Sequence, residues 1–369
     1  MRVPTALGRS VGSVIDMQDE SQNTALRRGV GSAFTAKAVL AYENDCNAIA
    51  LELIQTIQAY PTFDLFPTLQ FFQLDFLTKM AFSENYGHLK QRRDVWGVAG
   101  PTKHRITHWI RWQGMSKLEY FLYQHPFWCK FWKIPQSSNW VKEALGQLNS
   151  RGDTAKGLPT FTAPKTDLLQ KYVEAAQKRP DIKPETIALM TTSTIGAGFD
   201  TTAHVLTSIL FLIIKHPRIL DKLRDELAST HLTQPIPHWD EVNKLTYLDA
   251  IWKEALRYNP FLNIPLERVV PATGLEICGK SIPPGTIIGA QAFTVHRDPN
   301  VFGNNYPVDE FQPKRWIEAS DEQRLAMERG SLGFGSGKRV CLGRHIADME
   351  IKKVIPALVR NFDVSGGGV

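Results

Sequence analysis

One cysteine in a glycine-rich loop is the residue of this 369-residue chain best placed to do chemistry. It is Cys341 in Phe334-Gly335-Ser336-Gly337-Lys338-Arg339-Val340-Cys341-Leu342-Gly343, at the start of a helical pattern that runs on to Phe362. Glycines let a backbone come close to a flat cofactor. The peptide N–H groups of such a loop, with the positive end of the helix that follows, favour thiolate over thiol. An anionic sulfur is what iron ligation needs. The plain alternative is a lone buried cysteine in a core helix. Cys46, Cys129 and Cys278 stand far apart, with no CxxC or Cys/His spacing. They indicate neither a zinc site nor a disulfide framework and fit a reducing compartment.

Two further groups carry charge or hydroxyls at informative spacings. Glu254 and Arg257 lie three apart on one face of a helical segment, where they can pair directly. Arg315 follows in Phe311-Gln312-Pro313-Lys314-Arg315-Trp316, and a planar guanidinium suits bidentate pairing better than lysine does. By itself an ExxR spacing marks a solvated helix face. Asp200 and Thr201 sit in Ala197-Gly198-Phe199-Asp200-Thr201-Thr202, in the middle of a long apolar pattern. Small residues there allow close approach, and a threonine hydroxyl can replace a backbone partner and open the helix locally. An N-cap reading of Asp-Thr is disfavoured because the apolar pattern continues on both sides.

The elements that must position these residues are mostly helices. Spacings of three and four predict helix from Ala36 to Gln58, from about Leu69 to Phe82, and from Pro184 to His216, where Pro217 stops it. Further helical patterns cover Arg218 to Leu227 and Leu245 to Tyr258. Between Pro260 and Val295 the texture turns to Pro, Gly and β-branched residues, which predicts short strands and a hairpin. That region holds a decoy: Gly274 to Ser281 satisfies the phosphate-loop expression GxxxxGKS, but a phosphate loop must open a helix and here a turn and strand follow. Six of the nine tryptophans fall between Trp96 and Trp140, amid Phe121, Phe127, Phe131, Lys130 and Lys133. Core packing is the ordinary reading of such a cluster; a substrate-access or membrane-touching surface is the alternative.

Taken together, these segments resemble the cytochrome P-450 family over essentially the whole chain. Phe334, Gly337, Arg339, Cys341 and Gly343 fill its heme-binding pattern FxxGxRxCxG; Glu254, Arg257 and Arg315 match its structural triad, and Asp200-Thr201 its oxygen-activating pair. The resemblance implies a single P-450 domain over residues 1–369, mostly α with a minor β region, with heme b (iron) held by Cys341. It implies proton delivery by Asp200 and Thr201, so that the O–O bond is cleaved productively and oxygen is not lost as peroxide. Arg27, Arg268 and Arg339 match the arginines that hold the heme propionates. One departure is Asn23, standing where Trp or His is usual in W/HxxxR. From their motif-adjacent positions, Ile195, Ala197, Phe199, Leu262 and Ile264 are expected to face substrate.

The implied reaction inserts one oxygen atom from O2 into an apolar, lipophilic small molecule, with electrons from NADPH through a flavoprotein reductase. Lys338, Arg344, Lys352 and Lys353 are expected to dock that acidic partner. A heme-thiolate isomerase or dehydratase is the rival within the family, and the intact Asp200-Thr201 pair argues for monooxygenation. The other rival is a catalytically inactive heme-binding remnant. The region Ala25 to Glu43 and the residues around Arg315-Trp316 look most like fungal specialised-metabolism members. The resemblance implies that full-length members are anchored on the cytosolic face of the endoplasmic reticulum membrane, and a monomer is expected. This chain is expected to lack that anchor and early sheet, and the C-terminal β region. With 43 basic against 37 acidic residues the net charge is only +6, no basic run suggests a nucleic-acid groove, and the apolar run Ile209 to Ile214 is too short to span a bilayer.

Overall fold

The computed structural model describes residues 12–364 apart from 16, 18, 61, 120, 123–124, 126, 128–137, 151–166, 180–181 and 304. It divides into two compact units, residues 1–203 with 342–350, and residues 204–341 with 351–369. The helices of the first unit are α1 (Glu20–Val30), α2 (Glu43–Ala59), α3 (Leu65–Phe82), α4 (Ala99–Trp112), α5 (Ser138–Ser150), α6 (Leu168–Gln177) and the larger part of α7 (Pro184–Lys215). The second unit holds the end of α7, α8 (Pro217–Ser229), α9 (Thr246–Tyr258), four short strands and α10 (Asp321–Gly330). Helix α11 (Arg344–Asn361) begins in the first unit and ends in the second.

In the first unit α3 is buried nearly all round from Leu69 onward. Two of its buried polar side chains are satisfied locally. Asp75 accepts the backbone N–H groups of His88 and Leu89 at 2.8 Å each, and the Thr78 hydroxyl donates to the Leu74 carbonyl at 2.8 Å. The helix ends at Ser83, in the left-handed region at φ 61°, whose hydroxyl donates to Asp167. The other oxygen of Asp167 caps α6. Upstream, the single run expected from Ala36 is broken into a short helical turn at Ala36–Val39 and a 3-10 turn at Leu40–Tyr42 before α2. Thr35, extended at ψ 153°, caps that first turn and starts it afresh.

Helix α7 runs 32 residues without interruption, and Pro217 occupies the first turn of α8. By length and composition α7 is able to cross a membrane, yet over half of its most apolar stretch is buried within the protein. Gly198 explains part of the packing inside the first unit. A Cβ there would stand 2.8 Å from Leu77 Cδ1 of α3, so the two helices approach more closely than a larger residue permits.

The aromatic region divides. Trp96 packs edge-on against Tyr86 at 4.3 Å between ring centroids and meets Phe82 and His88. Ile110, Met115, Leu118, Phe121 and Phe127 are exposed, which the core reading does not account for. Trp128, Cys129, Lys130, Phe131, Trp132 and Lys133 lie outside the described residues.

In the second unit β1 (Leu266–Val269) pairs antiparallel with β4 (Ile287–Ala290), and β2 (Leu275–Ile277) with β3 (Lys280–Ile282). The β2–β3 turn is made by Cys278 at φ 50° and Gly279 at φ 73°, two left-handed residues in succession, the geometry of a tight hairpin. Lys280 and Ser281 of the apparent phosphate loop therefore lie on a strand and open no helix. The N-terminus of α9 is held by Glu226 of α8, which accepts the N–H groups of Tyr247 and Leu248 at 2.7 and 2.9 Å.

Candidate functional site

Helix α9 is the platform on which the second unit builds its cysteine loop. Its buried face presents Trp252, Leu256 and Arg257. Phe334 meets Trp252 edge-on at 5.8 Å between centroids. A Cβ at Gly333 would stand 3.3 Å from Leu256 Cβ, so that glycine lets the loop lie directly on the helix. The loop turns through Gly335 and Gly337, both left-handed at φ 69° and 64°, and closes where the Cys341 N–H donates to the Phe334 carbonyl at 2.9 Å. Cys341 is exposed and in no disulfide, and α11 starts three residues later. Arg339 of the same loop is half-buried and Arg268 of β1 is exposed. The Arg268 guanidinium donates to its neighbour's carbonyl, Glu267 O, at 2.8 Å.

Beneath the loop, the structure brings Glu254, Arg257 and Arg315 together in a buried network. Arg257 grips Glu254 bidentately, Nε and Nη2 each donating at 2.8 Å, and Arg315 Nε lies 3.4 Å from the same carboxylate. The exposed fractions of Glu254, Arg257 and Arg315 are 0, 1 and 0%. Three charges without water survive only if nearly every hydrogen-bonding site is used. Here Trp316 Nε1 and the Gln312 N–H also donate to Glu254, at 2.9 Å each. The arginines donate to the carbonyls of His296, Phe302, Tyr306, Pro307, Val308 and Glu310. The network thereby ties the backbone at His296, Phe302 and Tyr306 to Glu310 onto α9.

His296 is a residue that sequence reasoning missed. It is buried, its Nδ1 donates to the Arg257 carbonyl at 3.1 Å, and its Nε2 accepts the Leu332 N–H at 2.8 Å. Burial pushes its pKa down to about 4, so it stays neutral with that tautomer and ties α9 to the entrance of the cysteine loop. Nothing in the sequence marks it, because its partners are 39 and 36 residues away and both are backbone.

The first unit carries the other expected residues. Asp200 and Thr201 lie on a partly open stripe of α7 with Ala197. The Thr201 hydroxyl donates to the Ala197 carbonyl at 2.7 Å, while the helix stays α-helical on either side, without the local opening expected from that hydroxyl. Back-donation onto an intact carbonyl leaves the backbone ladder in place. Asp200 Oδ1 accepts from Gln70 Nε2 of α3 at 2.7 Å. Arg27 is half-buried on α1. One turn earlier the Asn23 side chain, fully buried, donates to the Val14 carbonyl at 2.7 Å, so its amide donor serves the chain's own backbone.

Two expectations need correction. Ile195 and Phe199 are 0% exposed. At 100° per residue they share the face of α7 opposite Ala197, so they belong to the packing of the helix and not to a substrate-facing surface; Leu262 and Ile264 are half-buried. Lys352 and Lys353 do not present charge to a partner either. Both lie on the buried side of α11, Lys352 paired with Asp249 at 2.8 Å and Lys353 donating to the Pro237 carbonyl. Lys338 and Arg344 are exposed.

The family model described as cytochrome P450 matches residues 3–367. The chain belongs to the cytochrome P450 family. A cytochrome P450 monooxygenase of Aspergillus terreus is 32% identical over 97% of this chain and 74% of its own length. The cytochrome P450 monooxygenase pkfB of Emericella nidulans is 33% identical over 95% of this chain and 69% of its own. The match to mpaDE of Penicillium roqueforti, 32% identical, covers 95% of this chain and 42% of that longer protein. In fold, the chain is similar to the crystal structure of the cytochrome P450DA heme domain, with a TM-score of 0.73 at 20% identity over 90% of this chain and 69% of that one.

Cytochrome P450 proteins are heme-dependent oxidoreductases that incorporate oxygen. The residues of this P450 fit that cofactor. One exposed thiol on a glycine turn, with guanidinium groups in the same unit, is a donor set for a metal whose remaining ligands come with a flat, carboxylate-bearing macrocycle.

Proposed function

We propose that this chain is a heme-thiolate monooxygenase in which residues 1–369 form one P450 domain and Cys341 would hold the heme iron through its thiolate. The observation that carries the reading is the Cys341 loop: an exposed thiol on two left-handed glycines, tied to Phe334 and seated on α9. When bound, the heme supplies the iron at which dioxygen is activated. Phe334, Gly337 and Gly343 shape the loop, and Arg339, Arg268 and Arg27 hold the propionates. At Arg27 the usual Trp or His of that turn is replaced by Asn23, whose amide donates to Val14.

Asp200 and Thr201 move protons during oxygen activation. Asp200 has one oxygen on Gln70 and the other available for exchange, and the Thr201 hydroxyl is held one turn away on the Ala197 carbonyl. The substrate is an apolar organic molecule, and of the residues expected to face it Ala197 in the first unit and Leu262 and Ile264 in the second are not sealed in the core. Electrons come from NADPH through a flavoprotein reductase that meets Lys338 and Arg344, on the cytosolic face of the endoplasmic reticulum membrane, with the enzyme acting as a monomer. The reduced carbon monoxide difference spectrum tests the central assignment. The strongly red-shifted Soret band of a thiolate-ligated heme is expected, and its absence from heme-loaded protein would overturn the assignment.

A further inference from the structure

A single stripe of α3 meets carboxylates and a glycine inside the first unit. Gln70 reaches Asp200 of α7, Gln73 faces Glu350 at the start of α11, and Leu77 lies against Gly198. The Gln70–Asp200 bond is short, 2.7 Å, and partly buried, and it joins side chains 130 residues apart. Hydrogen bonds to charged groups are stronger than neutral ones and fix direction as well as energy. The close approach at Gly198, two residues from Asp200, sets the distance that Gln70 spans.

From this geometry we propose that Gln70 is a positioning residue for the proton relay. It occupies Asp200 Oδ1 and sets the rotamer of the carboxylate, so that Oδ2 alone exchanges protons. The inference rests on the reading of Asp200 and Thr201 as the relay.

The test compares Gln70→Met, similar in length but without a donor, with Gln70→Lys, which restores one, and with Asp200→Ala. Chemical unfolding of each single and double variant measures coupling between positions 70 and 200. Non-additivity of roughly tenfold in the unfolding constant is expected for Gln70→Met with Asp200→Ala, and additive effects would overturn the contact. On heme-loaded protein, product per NADPH, peroxide release and the solvent deuterium isotope effect are then measured. Gln70→Met is expected to lower product per NADPH severalfold and raise both other quantities, with heme content and the substrate-binding spectrum unchanged, and Gln70→Lys to recover most of the loss. Normal yield in Gln70→Met, where Asp200→Ala uncouples, would overturn the positioning role alone; a loss that Gln70→Lys does not relieve would assign the effect to packing and overturn it as well. Normal yield in Asp200→Ala would overturn the underlying relay.

Discussion

Cys341 differs from the other described cysteines in its surroundings more than in its chemistry. Cys46 is fully buried in α2, and Cys278 is a turn residue between β2 and β3. Among the described cysteines, Cys341 alone combines exposure with a glycine turn and a following long helix. Cys341→Ala is therefore expected to abolish the red-shifted Soret band of the reduced carbonyl complex, whereas Cys46→Ala and Cys278→Ala retain it; a band surviving in Cys341→Ala would refute the ligand assignment. Thr201→Ala is expected to leave heme binding intact and to lower product formed per NADPH by about tenfold, with peroxide rising in step. The Oγ1 contact to Ala197 is lost at little structural cost because the carbonyl keeps its helical partner. Unchanged coupling would make the hydroxyl structural only.

At the scale of elements, α9 matters more than its length suggests. It carries Glu254 and Arg257 on one face, seats the cysteine loop on Trp252 and Leu256, and is tied through His296 to Leu332. Arg315→Lys keeps the charge but cannot reproduce the spread of donors that reaches Tyr306 and Pro307. It is expected to cost about 3 kcal/mol in denaturant unfolding and to reduce heme incorporation. Loss of under about 0.5 kcal/mol would mean that lysine suffices. The contact of α7 with α3 is as demanding sterically. Gly198→Val is expected to lose roughly 1–3 kcal/mol through overpacking against Leu77, and Leu77→Ala in the same chain to recover part of it, a non-additivity that would be missing if the two side chains did not meet.

Over the whole molecule, stability against pH follows from buried groups of opposite sense. Burial raises Glu350 to about 8 and Asp75 to about 6, and lowers His88 and His296 to about 4. A carboxyl with a raised folded pKa binds its proton more tightly folded than unfolded, so stability falls as pH rises from its unfolded value toward the folded one. A histidine with a lowered folded pKa acts the other way, and stability falls as pH drops from about 6.5 toward 4. Stability is thus expected to peak at about pH 6.5, and Glu350→Gln to flatten the decline from there to about pH 8; an unchanged slope in that variant would place the alkaline sensitivity elsewhere. The surface gives a separate expectation. Lys338→Glu with Arg344→Glu should slow reductase-driven turnover at low salt, spare peroxide-driven turnover, and lose its effect as salt rises.

The residues proposed here to do chemistry are local features of the sequence. Cys341 with its glycines, Asp200-Thr201, and the Glu254 and Arg257 spacing are each defined within a few positions, and so are the left-handed turn at Gly279 and the stop at Pro217. Periodicity also located α3, α7 and α9, because a buried face repeats every three or four residues whatever packs against it. What periodicity does not carry is which face of a nearly all-apolar helix is covered. Ile195 and Phe199 therefore read as candidates for substrate contact and prove to be core, and Lys352 and Lys353 read as surface charge and prove to be internal ties. Gln70 on Asp200, His296 between Arg257 and Leu332, and Arg315 on Glu254 depend on contacts made across 36 to 130 residues. Their geometry exists only once helices have packed, and tertiary structure alone decides it.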